Sequence, residues 1–238
     1  MFITIHLYLI LQHEHNNYSK YIRCYTPSLS TACGIKPAKI VGGSEVTPYS
    51  IPWQVALVRS GSNSPGCGGI LISDRHVLTA AHCTGGSNLD VIVGEHRITS
   101  TADGTRHNTC RYVDHPSYGS PNRASNDFAI LHLRTPVQIG TRAAPACLPP
   151  STYDDAFLAG KTLTVSGWGD LVQGGNSPSG LHSVDVPGMS NAQCLSDYPN
   201  GIDASMLCAG QTSGGIDACQ GDSGGKQSHS ESSFVKFY

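Results

Sequence analysis

The sequence predicts an all-β protein of the sandwich or barrel class, and three observations carry that reading. Charged residues make up only 13% of the chain. Glycines are plentiful, 27 in 238 residues. From Ile40 onward, short apolar runs alternate with clusters of Gly, Pro, Ser and Asn. Low charge with many glycines describes turn-rich β structure rather than a helical or disordered chain. With 39% hydrophobic residues, this length can bury a real core as one large unit or two small ones.

The elements follow in chain order. Residues 1–39 are polar, rich in His, Asn and Tyr and without clear periodicity, so they read as a leader or pro-segment. Phe2 to Leu11 resembles a signal-peptide core, yet it lacks a basic start and a small-x-small cleavage site. Asn17-Tyr18-Ser19 fits the pattern of a glycosylation acceptor. Strands are expected over Gln54–Val58, Cys67–Ser73, His76–Ala80, Asp90–Glu95, His107–Val113 and Phe128–Leu133. The second half begins in the same style with Lys161–Gly167, Leu181–Val186 and Ser205–Ala209. Asp170–Gly180, rich in Gly and Ser, reads as an exposed loop between two of these strands. Ser190 to Tyr198 reads as one short helix with Ser190 or Asn191 as its N-cap. After Gly225 the pattern fails, and Phe234–Tyr238 is at best one short strand.

Composition also excludes function classes. The net charge is -2, so there is no basic surplus to bind nucleic acid. No run is long and apolar enough to span a membrane. Nine cysteines point to disulfides and an oxidising compartment, hence to secretion. Metal binding is the competing use of cysteine, but neither a C-x-x-C pair nor an H-E-x-x-H occurs. The odd count leaves at least one cysteine without an intramolecular partner.

Three segments carry chemistry: Thr79-Ala80-Ala81-His82-Cys83, Asn126-Asp127-Phe128-Ala129-Ile130-Leu131, and Asp217-Ala218-Cys219-Gln220-Gly221-Asp222-Ser223-Gly224-Gly225. Taken singly, His82 fits a structural histidine, Asp127 a strand-start cap and Ser223 a turn residue. Together they supply what peptide hydrolysis needs: a nucleophile, a base to take its proton, and an acid to orient that base. A serine hydroxyl is too weakly acidic to attack an amide unaided, and a neutral histidine within reach accepts its proton and later returns it to the leaving amine. Glycines around Ser223 let backbone N–H groups turn toward the point where an oxyanion forms.

On these motifs the sequence resembles the chymotrypsin/trypsin family of serine proteases from Ile40 to Gly225. The resemblance implies two antiparallel six-stranded β-barrels, with residues 1–39 as leader or pro-segment, 40–145 as the first barrel and 146–238 as an incomplete second one. It implies His82 as general base, Asp127 as its orienter and Ser223 as nucleophile, with the N–H groups of Gly221 and Ser223 as the oxyanion hole. Lys39-Ile40-Val41-Gly42-Gly43 looks like the family's activation site. A cut after Lys39 would free the Ile40 ammonium to pair with Asp222. An α-amino group titrates at about pH 8 and stays largely charged at neutral pH. Asp217 resembles the floor of the primary specificity pocket, where a buried carboxylate selects Lys or Arg before the cut bond and penalises apolar side chains.

The resemblance further implies disulfides Cys67–Cys83, Cys194–Cys208 and Cys33–Cys147, the last tethering the pro-segment after activation. The first two close short loops worth about 3 kcal/mol each in the chain-entropy account. Cys24, Cys110 and Cys219 are left over, and in the family Cys219 pairs with a cysteine beyond Tyr238. Some members bind calcium in a loop that would begin near Glu95. Here Asp103 is the one further acid of Ile98–Arg106, too few oxygen ligands for a hard cation, so no metal and no cofactor is expected. The expected partners are protein and peptide substrates and protein protease inhibitors, with the enzyme itself a monomer.

Beyond Gly225 the family continues with Pro and an apolar strand, whereas this chain reads Lys226-Gln227-Ser228-His229. By comparison it lacks about three strands and a C-terminal helix. A half-barrel exposes unpaired edges. Gly221-x-Ser223-x-Gly225 also satisfies the nucleophile elbow of α/β-hydrolases, but that family places its acid and histidine after the serine, and the order here is His, Asp, Ser. The remaining alternative is a non-catalytic protease-like binding or regulatory protein, or an inactive truncated isoform. Such homologues typically lose a triad residue, and all three residue types are present here.

Overall fold

β2, Gln54–Arg59, reads Gln-Val-Ala-Leu-Val-Arg and is buried from Gln54 to Val58. An uninterrupted apolar run, in place of period-two alternation, marks a strand covered on both faces. Val55 and Leu57 point into a core shared with Leu71, Val77, Val91, Val93, Leu131 and Leu133. Ala56 and Val58 point the other way, onto Val46, Ile51, Ile92, Trp168 and Leu181. One strand thus serves two cores. The structure, a computed structural model, describes residues 33–34, 44–85, 88–98, 103–148, 158–169, 177–199, 201–210 and 234–237.

Six antiparallel strands close the first barrel. They are β2, β3 (Pro65–Leu71), β4 (His76–Thr79), β5 (Leu89–Val93), β6 (Thr105–Asp114) and β7 (Ala129–Leu133), in the order β2-β3-β4-β7-β6-β5. Register shifts between Leu57 and Val58 and between Thr109 and Arg111 bend the sheet as closure requires. Gly69 sits where a side chain would not fit. A Cβ there would lie 2.9 Å from Val77 and 3.0 Å from Leu57.

The second half forms an open sheet among the described residues. β9 (His182–Met189) pairs with β8 (Thr162–Gly167), with β1 (Ser44–Glu45) and with β10 (Leu207–Gly210), which in turn pairs with β11 (Phe234–Phe237). β1 therefore belongs to this sheet rather than to the barrel that its chain position adjoins. The two polar residues of β1 carry no strand signal of their own. Helix α1, Asn191–Asp197, is capped by Ser190, whose Oγ accepts the Gln193 N–H, and a cluster of Met189, Cys194, Ile202, Met206 and Cys208 packs beneath it. Of the expected exposed loop Asp170–Gly180, the described part, Ser177–Gly180, is docked. Gly180 bridges to Arg97, and Ser179 accepts the Ile98 N–H.

Candidate active site

The barrel register brings two of the three expected catalytic residues together. β4 and β7 run antiparallel with Thr79 opposite Ala129. Three residues past Thr79 lies His82, in the 3-10 turn Ala81–Cys83. Two residues before Ala129 lies Asp127. Both therefore emerge at the same end of the same strand pair. The Cys67–Cys83 disulfide ties the turn to β3, and Thr79 Oγ1, on β4, donates to the Gly68 carbonyl of β3 at 2.8 Å.

Asp127 is buried and holds His82 at two points. Its Oδ1 accepts the His82 backbone N–H at 2.9 Å, and its Oδ2 lies 2.5 Å from His82 Nδ1. An ionised carboxylate only accepts, so Nδ1 carries the proton and Nε2 presents its lone pair. The His82 side chain is 29% exposed against 5% for Asp127, although Nε2 itself is buried. A buried acid that fixes one tautomer is the arrangement a general base requires.

A second acid stands behind the pair. Asp114, at the end of β6, has its carboxyl raised above the ordinary range by burial, with the Asp127 charge adding to that and a hydrogen bond from Thr84 opposing it. Thr84 Oγ1 lies 2.7 Å from both Asp114 Oδ1 and the Ala81 carbonyl. Its one hydroxyl hydrogen is therefore shared between two acceptors, which limits how far Thr84 can offset the burial of Asp114. Sequence reasoning did not single out Asp114. An acid ending a polar strand carries no motif.

The three disulfides of the described residues are Cys33–Cys147, Cys67–Cys83 and Cys194–Cys208. Cys110 is disulfide-bonded as well. Cys67, His82 and Cys83 form one group whose ligand atoms lie within metal-binding reach of one another. Both sulfurs are spent in the disulfide, so the group offers a metal a single ligand. Glu95 is buried, and its carboxyl is pushed up to about 7 by burial first and by the Asp103 charge second, against backbone N–H donors from Arg97, His96 and Gly104. Lys39, Ile40, Asp217, Gly221, Asp222 and Ser223 lie outside the described residues, as do Cys24 and Cys219.

A family model for trypsin matches residues 40–230. Rat serine protease 1 is 41% identical over 79% of this chain and 73% of its own length. Pig trypsin is 40% identical over 79% of this chain and 78% of its own. The serine protease filzig of Drosophila melanogaster is 39% identical over 84% of this chain, which spans only 13% of that much longer protein. Among solved structures, neuropsin, a serine protease expressed in the limbic system of mouse brain, superposes with a TM-score of 0.65 at 34% identity, covering 76% of this chain and 78% of neuropsin.

Proposed function

Because the chain belongs to the trypsin family of serine proteases, we propose that it is an endopeptidase cutting after Lys or Arg, made as a zymogen opened between Lys39 and Ile40. The observation that carries this reading is the buried Asp127 holding His82 through two hydrogen bonds, with Nδ1 as donor.

Ser223 supplies the nucleophile in this proposal. Its hydroxyl adds to the substrate carbonyl as its proton passes to His82 Nε2, and the imidazolium so formed is stabilised by Asp127. The N–H groups of Gly221 and Ser223 receive the oxyanion. His82 then returns the proton to the leaving amine, and water resolves the acyl-enzyme by the same path in reverse. Asp217 at the base of the specificity pocket favours a cation there, since a buried unpaired carboxylate penalises any neutral occupant. The freed Ile40 ammonium pairs with Asp222 and shapes the oxyanion loop. The pro-segment, residues 1–39, stays attached through Cys33–Cys147, ahead of a first barrel over 40–145 and an incomplete second one over 146–238.

The substrates are proteins and peptides, protein inhibitors are the expected antagonists, and the enzyme is secreted and monomeric. Disulfides support that location, and no helix among the described residues is long and apolar enough to cross a membrane. The test is substitution after activation. Ser223→Ala and His82→Ala each lower kcat by about 10⁴-fold or more, and the double change costs little extra, because residues acting as one unit are not additive. Near-normal turnover in Ser223→Ala would remove the proposed nucleophile.

A further inference from the structure

We propose that Asp203 is a positioning residue for the His82–Asp127 pair, acting through Ser125, Ser205 and Asn126. The inference rests on the peptidase reading for its kinetic consequence, but not for its structural one. Asp203 lies between α1 and β10, inside the loop closed by Cys194–Cys208. Its carboxylate accepts from both sides. Oδ2 takes the Ser125 hydroxyl in a short contact and the Asn122 amide at 3.0 Å. Oδ1 takes the Ser205 N–H at 2.8 Å and the Ser205 hydroxyl at 2.5 Å.

The directions of these bonds are fixed. Ser125 is fully buried, and its Oγ already accepts the Asn122 N–H at 3.0 Å, so its hydrogen goes to Asp203. The Ser205 hydroxyl likewise spends its hydrogen on Asp203, which leaves a lone pair to accept the Asn126 N–H at 2.9 Å. Although burial opposes it, donation from Ser125, Ser205 and Asn122 holds the Asp203 carboxyl below its ordinary range, in keeping with an anion filled on every side.

What this anion holds in place is unusual backbone. Asn126 has φ 54°, in the left-handed region, which few residues other than glycine adopt and which asparagine enters more readily than most. Its side-chain Nδ2 donates to the Ser120 carbonyl at 2.9 Å. The next residue is Asp127. A change in the Asn126 backbone therefore swings the carboxylate on which both His82 contacts depend. The second half of the chain, through one aspartate, sets the angle of the acid in the first.

The experiment compares the full chain with Asp203→Ala, Asp203→Asn and Ser125→Ala, activated at Lys39–Ile40. Two readouts are taken. One is the NMR signal of the His82 Nδ1 proton, which needs no turnover. The other is kcat and KM on a short Arg peptide amide. In folded Asp203→Ala the proton signal shifts or broadens, and kcat falls about 10- to 100-fold, the scale on which misplacement far from the chemistry acts. KM changes by less than about threefold, because only the transition state feels the lost alignment. Asp203→Asn, which keeps one acceptor oxygen, recovers part of both. An unchanged proton signal and unchanged kcat in folded Asp203→Ala overturn the proposal. If that variant does not fold, the same two readouts on Ser125→Ala decide, with no change again overturning it. A parent protein that shows the signal but cleaves nothing refutes the peptidase reading alone, and the signal's response to Asp203 still tests this inference.

Discussion

Glu95→Gln isolates one buried acid and one pH window. The Glu95 carboxyl, pushed up to about 7 mainly by burial, binds its proton more tightly in the folded chain than in the unfolded one. A raised acid therefore favours folding below the unfolded value, and that advantage is lost as pH rises through about 7. From 4.5 to about 7 the gap is worth roughly 3 kcal/mol at 1.36 kcal/mol per pH unit, and relaxation of the surroundings reduces it to about 1–3. Absolute stability is a poor readout. Glu95 Oε1 has no hydrogen-bond partner among the described residues, so the Gln amide placed there would itself be unsatisfied, at about 1–3 kcal/mol. The slope is clean. Urea unfolding at intervals from pH 4 to 8, in EDTA, should show the parent losing about 1–3 kcal/mol across that window relative to the variant. Asp103→Asn should lessen the slope, since the Asp103 charge is the second cause of the shift. Parallel stability curves for parent and Glu95→Gln would refute the reasoning.

Other outcomes follow from the same structure. Asp217→Ser should abolish the preference for Lys and Arg while leaving the burst of acylation intact, and equal cleavage after Leu and Arg in the parent would contradict the proposed pocket. Lys39→Gln should remain uncut and inactive under trypsin. In the parent, the Cys33–Cys147 bridge should give one band after cleavage on non-reducing gels and two on reducing gels, so separation without reductant would disprove the tether. Gly69→Ala should destabilise by about 1–3 kcal/mol through overpacking, since its Cβ would press on Val77, Leu57 and the Leu78 carbonyl. A melting point equal to the parent's would show that the barrel yields there. Added calcium should leave the melting point unchanged, because Glu95 and Asp103 offer too few oxygens. A rise that EDTA reverses would show a site.

What could be read from the sequence was what the chain encodes locally. β2, β5 and β7 are apolar runs bounded by turn residues, and they formed strands within a residue or two of the expected limits. Ser190 is a serine before a helical run, and it caps α1. His82 and Asp127 were legible because each sits in a distinctive segment, and the register of β4 with β7 explains why segments so far apart meet. Asp203 was not legible. An aspartate followed two residues later by a serine reads as a turn, and nothing local announces that Ser125, 78 residues earlier, donates to it. β1 was missed for the same reason, since Ser44 and Glu45 become a strand only because Ser183 and His182 lie opposite. The tail beyond Gly225 offered no pattern, yet Phe234–Phe237, part of the expected Phe234–Tyr238, pairs with β10.

The two-faced burial of β2 has a consequence for how the protein is made. Ala56, Val58 and Ile92 belong to strands that leave the ribosome early, whereas Trp168 and Leu181, which cover them, are synthesised much later. Until then a barrel that is closed by its own hydrogen bonds still shows one greasy wall to its surroundings. Nascent chains stalled before Trp168 should therefore be held by chaperones, and those stalled well past Leu181 released from them, although the strands of the first barrel are already present in both.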